Sequence, residues 1–169
     1  MAEPHARLNA MSSDEARAAL TRCCGSSRWV DKMLAGRPFA STPQLLAAAD
    51  SATAALTRAD HLQAFAHHPP IGANLDELRR KFGSTAQLSA AEQAGAVGSD
   101  EPTLAALRDK NRAYLERFGY IFIVCASGKS AREMLQLLEA RLPNDPDTEL
   151  TIAAAEQAKI AKLRLEKLA

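Results

Sequence analysis

The sequence predicts an all-α protein, a single compact domain over residues 1–169 built from about seven to nine helices. Three observations carry this expectation. Alanine is abundant while aromatic residues make up only 5 % of the chain, a balance that suits closely packed helices better than a sheet-rich core. Helix start signals recur, among them Ser12 with Glu15 and Ser89 with Glu92, each spaced as a capping box. Apolar residues at spacings of three and four follow such signals, most clearly from Thr103 to Phe118.

Bulk properties narrow the functional classes. A chain of 169 residues can bury roughly 70 % of its unfolded surface. The net charge of +1 argues against a nucleic-acid partner, so an anionic ligand has to be held by a few local cations. No apolar run reaches the length of a membrane span, and Met1 to Arg7 lacks a signal peptide's apolar core. Lys167-Leu168-Ala169 differs from the Ser-Lys-Leu peroxisomal address, and the expected location is the cytoplasm. Cys23, Cys24 and Cys125 show no metal-ligand spacing and are an odd number for a disulfide framework. They are expected as buried small hydrophobes.

The elements follow in order. A first helix starts at the Ser12–Glu15 box, runs through Ala16, Leu20 and Cys23, and stops near Gly25. Trp29, Met33 and Leu34 predict a short helix before Gly36. Thr42-Pro43 opens a helix from Gln44 to Leu56, proline being suited to a first helical turn. Ala59 to Ala66 forms the next, and Asn74 caps another through Leu75, Leu78 and Phe82. On the Thr103–Phe118 helix, Leu104, Leu107, Asn111, Tyr114 and Phe118 share one stripe. A buried amide at Asn111 is expected to bond backbone groups of a neighbouring segment. Tyr120 to Cys125 has the pattern of a buried strand, and Ser130 starts a helix that runs to Leu142. The last helix starts near Thr148 after a Pro143–Asp147 loop. Ile152, Glu156, Ile160 and Leu163 are expected on its buried face, with Arg164 leaning the same way. Lys162 and Glu166 form an i,i+4 pair on the watery side.

The candidate chemistry centres on Ala66-His67-His68-Pro69-Pro70-Ile71-Gly72. A residue before proline is pushed out of the helical region, and proline fixes its own φ, so His68 is held at a helix end with few conformations left. A surface helix stop would carry the same residues, since histidine is common at helix C-termini. Ser89 and Glu92 have a sufficient explanation in capping, yet a carboxylate beside free backbone N–H groups also suits a ligand with donors and acceptors. The small residues Ala126, Ser127 and Gly128 let a ligand approach the backbone closely. Arg164 needs a carboxylate, a carbonyl or a ligand, unless its stem packs while its head reaches water.

Several of these pieces occur together in a familiar order. They are His68-Pro69-x-Ile71-Gly72, Ser89-x-x-Glu92-Gln93, Asn111-x-x-Tyr114-x-x-Arg117-Phe118-Gly119-Tyr120-x-Phe122, Arg141-Leu142-x-Asn144, and Glu149-Leu150 with Ile160 to Leu165. From about residue 8 to 168 the chain resembles the 2-oxo-4-hydroxy-4-carboxy-5-ureidoimidazoline (OHCU) decarboxylases of urate breakdown. The resemblance implies an all-α fold, a homodimer, and conversion of OHCU to (S)-allantoin without a cofactor or metal. It implies His68 as the catalytic histidine with Glu92 as its partner. Pro69, Ser89, Glu92, Gln93, Arg164 and the backbone stretch Val124, Cys125, Ala126, Ser127 and Gly128 become substrate-binding positions. Pro70 departs from the family pattern, where that position often carries a polar or basic residue, and His67 has no matched role. The family fold also replaces the strand at Tyr120–Cys125 by a buried segment among helices.

Two readings from other classes stand beside this one. A non-catalytic helical interaction module would show an exposed apolar groove and need no fixed His68. A metal site at His61, His67 and His68 would need a shared face that their spacing supplies poorly.

Overall fold

Eight α-helices and no strands occur among the residues described by the computed structural model, which are 1–68, Asp76, Leu78, Arg80 and 100–168. They are α1 (Pro4–Ala10), α2 (Ser13–Cys23), α3 (Ser27–Ala35), α4 (Thr42–Ala54), α5 (Arg58–Ala66), α6 (Asp100–Phe118), α7 (Ala131–Arg141) and α8 (Pro146–Glu166). The protein is therefore all-α. No helix among the described residues is long and apolar enough to cross a membrane.

Short polar side chains start most of these helices. In α2 the Ser12 hydroxyl accepts the Glu15 N–H at 3.2 Å while the Glu15 carboxylate accepts the Ser12 N–H at 2.8 Å. Thr57 with Asp60 and Ser130 with Glu133 repeat the reciprocal pattern at α5 and α7. Ser26 and Ser41 cap α3 and α4. Each such cap stabilises its helix by about 1 kcal/mol.

One unit comprises Met1–His68, Ile123–Cys125 and Thr151–Ala169. Within it α3 packs against α2, α4 and α5, and α1 against α4. Its core gathers Leu8, Leu20, Trp29, Met33, Leu45 and Leu165, with Cys23 and Cys24 buried among them as small hydrophobes. Helix α1 has no counterpart in the sequence expectation, because seven residues with one apolar anchor show no period. Tertiary bonds hold it: the Asn9 amide donates to the Phe39 carbonyl at 2.7 Å and accepts the Phe39 N–H at 2.9 Å. The Arg37 guanidinium adds a bond to the Asn9 carbonyl at 3.1 Å.

The other unit comprises Pro69–Phe122 and Ala126–Leu150, in which α6 packs against α7. The α6 stripe is seen: Leu104, Leu107 and Tyr114 are buried. Asn111 bonds the Leu107 carbonyl of its own helix at 2.8 Å, not a neighbouring segment as expected; the carbonyl one turn back lies within reach of the short side chain. Glu149 is fully buried, where Arg141 pairs with it, donating from Nε to both carboxylate oxygens at 3.1 and 3.0 Å. The Tyr114 hydroxyl donates to the same carboxylate, and the Asn144 amide reaches it at 3.2 Å. Arg141 also lies 4.5 Å above the Phe122 ring.

Several expectations need correction. Tyr120 to Cys125 forms no strand; it is a mostly buried segment without regular structure, as the family resemblance implied. Helix α8 begins at Pro146, two residues before Thr148, because Asp145 accepts the Thr148 N–H at 3.0 Å and proline fits the first turn. The buried face of α8 carries Glu149, Ala153, Gln157, Ala161 and Leu165, whereas Ile152, Glu156, Ile160 and Leu163 are half-buried. Lys162 pairs with Asp50 at 3.1 Å instead of Glu166, and Arg164 is exposed. The helix buries alanines and polar residues at every fourth position, a stripe that apolar size alone does not reveal.

Candidate active site

Helix α5 delivers the two histidines. At its start the Asp60 carboxylate accepts the Thr57 N–H and hydroxyl, both at 2.9 Å, which holds that acid below its ordinary range. Along its length Ala64 and Phe65 are buried completely and fix the helix in the core. At its end the His67 N–H bonds the Ala64 carbonyl and the His68 N–H bonds the Phe65 carbonyl, both at 3.2 Å. These tight turns close the helix just before Pro69.

Two contacts hold the imidazoles. The His67 ring lies against buried Gly25, in the turn between α2 and α3, where no Cβ would fit. His68 is half-buried, and its Nε2 meets the side-chain amide oxygen of Gln157 in a short hydrogen bond. Gln157 itself is only 3 % exposed.

Both histidines line a cleft of about 310 Å³ together with Thr21, Arg22, Gly25, Ala64 and Arg164. Arg164 donates to the Arg22 backbone carbonyl at 3.1 Å, its one hydrogen bond among the described residues. None of these lining residues is acidic, so two guanidinium groups and two imidazoles face the space. Burial lowers the His68 pKa below its ordinary 6.5; the Gln157 hydrogen bond opposes the shift, while Arg164 and His67 add to it. His68 therefore rests neutral at neutral pH, able to take a proton and return it.

The structure thus brings His68 and Arg164, two of the expected site residues, to one cleft. Pro69, Ser89, Glu92 and Gln93 lie outside the described residues, as do Asn74, Leu75 and Phe82, although Asp76, Leu78 and Arg80 are helical. Val124 and Cys125 are buried, and the Cys125 N–H bonds the Glu156 carboxylate at 3.3 Å. Ala126 is half-buried and precedes a turn at Ser127 and Gly128, both exposed, with Gly128 at φ +74°. The exposed large apolar side chains among the described residues are Met1 and Leu115. His61 stacks against Phe65 with ring centroids 6.2 Å apart.

Sequence reasoning missed Gly25, Arg22 and Gln157. Gly25 was read only as the stop of a helix, and Arg22 lies in the last turn of that helix. Gln157 was open to detection as a polar residue on the i,i+4 series 149, 153, 157, 161 and 165, had that series been preferred to the bulkier one.

Comparison with known proteins agrees with this picture. The family model for OHCU decarboxylase matches residues 9–166. The uric acid degradation bifunctional protein TTL of Arabidopsis thaliana is 38 % identical over 86 % of this chain, which spans only 45 % of that protein. The 2-oxo-4-hydroxy-4-carboxy-5-ureidoimidazoline decarboxylase of Amia calva is 32 % identical over 79 % of this chain and 75 % of its own. A crystal structure of OHCU decarboxylase in the presence of (S)-allantoin matches with a TM-score of 0.71 at 32 % identity, covering 93 % of this chain and 97 % of that one. With the matched span running nearly end to end, this chain belongs to the OHCU decarboxylase family.

Proposed function

We propose that this chain decarboxylates OHCU to (S)-allantoin without a cofactor, using His68 to transfer protons. The observation that supports this most directly is the shared cleft of His68 and Arg164 in a member of this family. OHCU carries a carboxylate, and the cationic lining suits such a ligand. Within the same proposal Pro69, Ser89, Glu92, Gln93 and the backbone from Val124 to Gly128 contact substrate, and Glu92 orients His68 or shares its proton. The proposal includes a homodimer and one domain over the whole chain, on the strength of the family resemblance, and the cytoplasmic location that the sequence predicts.

The chemistry asks little of the protein beyond placement. As the carbon–carbon bond to the carboxylate breaks, its electron pair forms a new double bond toward the neighbouring ring carbon. The pair of that carbon's existing bond to nitrogen moves onto the nitrogen. The hydroxyl on the carbon losing CO2 gives up its proton and becomes a carbonyl. One proton then enters the ureido-bearing carbon from a single face, and the ring nitrogen takes another from solvent, so CO2 is replaced by hydrogen overall. A neutral imidazole can take the hydroxyl proton and supply one to carbon. Arg164 does not clamp the departing carboxylate in this scheme, because that charge disappears and a clamp would favour the ground state. It grips ring or ureido oxygens, where negative charge develops.

The test is stereochemical. OHCU is generated from urate by the upstream enzymes, this protein is added, and optical activity is followed. Protonation in free solution has no preferred face and gives a racemate, so rapid growth of one enantiomer is expected. A racemic product formed at the uncatalysed rate would overturn the proposal.

A further inference from the structure

Gln157 serves no cap and fills no apolar role, yet it is 3 % exposed on the buried face of α8. The oxygen of its amide meets His68 Nε2, while its own Nε2 is buried without a hydrogen-bond partner among the described residues. Burying an unmade donor is unfavourable, and a leucine of similar size would occupy the position without that loss. Stability alone therefore does not account for a glutamine here. What the side chain does provide is a fixed acceptor at one nitrogen of His68.

We propose that Gln157 is a positioning residue for His68, its amide oxygen accepting the Nε2–H so that the ring keeps one angle and the neutral imidazole carries its lone pair on Nδ1. The inference rests on the proposed proton-transfer role of His68. The hydrogen bond made by the second ring nitrogen decides which one is free to react. Proton exchange with substrate then runs through Nδ1, because Nε2 is committed to a buried partner. Arg22 from α2, Arg164 from α8 and His67 on the same turn also line the cleft. Burial, Arg164 and His67 disfavour protonation of His68, so Gln157 is the described neighbour whose hydrogen bond favours it.

The experiment combines nitrogen NMR of the imidazoles with kinetics on the full chain, using Gln157→Leu and Gln157→Glu beside wild type. The wild-type His68 signal, assigned by its loss in His68→Asn, is expected to show the Nε2–H tautomer. Gln157→Leu is expected to mix the tautomers, lower the His68 pKa further and reduce kcat roughly tenfold with KM little changed. Gln157→Glu places an anion at the acceptor, so the His68 pKa and the acid limb of kcat should both move to higher pH. A wild-type Nδ1–H tautomer would overturn the proposal even if Gln157→Leu failed to fold. So would a His68 pKa unchanged in Gln157→Glu. Wild-type protein that gives no single enantiomer would sink the proposed function instead, and the NMR signals would still report on the His68–Gln157 bond.

Discussion

Gly25 lies so close to His67 that a Cβ built on it would come within 2.2 Å of the His67 Cγ and 2.5 Å of its Cβ. The left-handed glycines among the described residues are Gly119 and Gly128, so it is space, not backbone freedom, that requires glycine at position 25. Gly25→Ala is expected to destabilise the protein by about 1–3 kcal/mol, the usual scale of overpacking, and to slow turnover by displacing the histidine turn. Combining it with His67→Ala should recover most of the stability, since the two sites share one contact. Melting curves of the two single variants and the double decide; a double variant as unstable as the sum of its parts would rule out this contact as the cause.

His68→Asn should lower turnover of OHCU by about 10²-fold or more, the scale of general acid–base help. In wild type, kcat/KM should fall on the acid side with an apparent pKa below 6.5, because burial disfavours the imidazolium. Stability has the same sign: the contribution of neutral His68 is complete above 6.5, the unfolded value, and is lost as pH falls through the lower folded value. A pH–rate profile and acid-side melts of both proteins check this.

Arg164 is exposed, and its one described bond goes to a backbone carbonyl. Arg164→Ala should therefore leave stability within about 0.5 kcal/mol while lowering kcat. An effect confined to KM would count against contact with developing charge.

The Arg141–Glu149 pair is buried at both ends, with the two residues 8 % and 0 % exposed. Glu149→Gln or Arg141→Met should cost about 3–5 kcal/mol, because each leaves an uncompensated charge or a broken network. Replacing both with apolar residues should cost much less than the sum. Denaturant titrations of the three variants are the measurement.

Burial pushes the Cys23 thiol up to about 11 and raises that of Cys24 as well. Native protein should resist iodoacetamide at both positions under mildly alkaline conditions, and denatured protein should not. Mass spectrometry of the alkylated peptides reads the difference.

Much of the fold was legible where one residue type does one local job. Ser12 and Ser130 start helices through reciprocal bonds three residues long, and the α6 stripe follows from helical period alone. Helix α1 was not legible, because Asn9 and Arg37 hold it through partners about thirty residues away in one case and nearly as many in the other. The buried face of α8 was misjudged for a related reason. Ala153 and Ala161 fit where the helix packs closely, while the larger Ile152 and Ile160 remain half-buried. At the candidate site, His68 was visible through the proline after it and Arg164 through its helical register. Gly25 and Gln157 were not, since each acts by touching a histidine far away in sequence.

Gly25 and Ala64 line the cleft beside the two imidazoles and have no side-chain torsions of their own. Such a lining cannot swing aside, nor does it have motions to surrender when a guest arrives. The entropy of arranging that wall is spent once, during folding, and is not levied again on each substrate molecule. A small, polar, short-lived ring offers few atoms with which to organise a receptor, and at the proposed site this part of the wall would already be set.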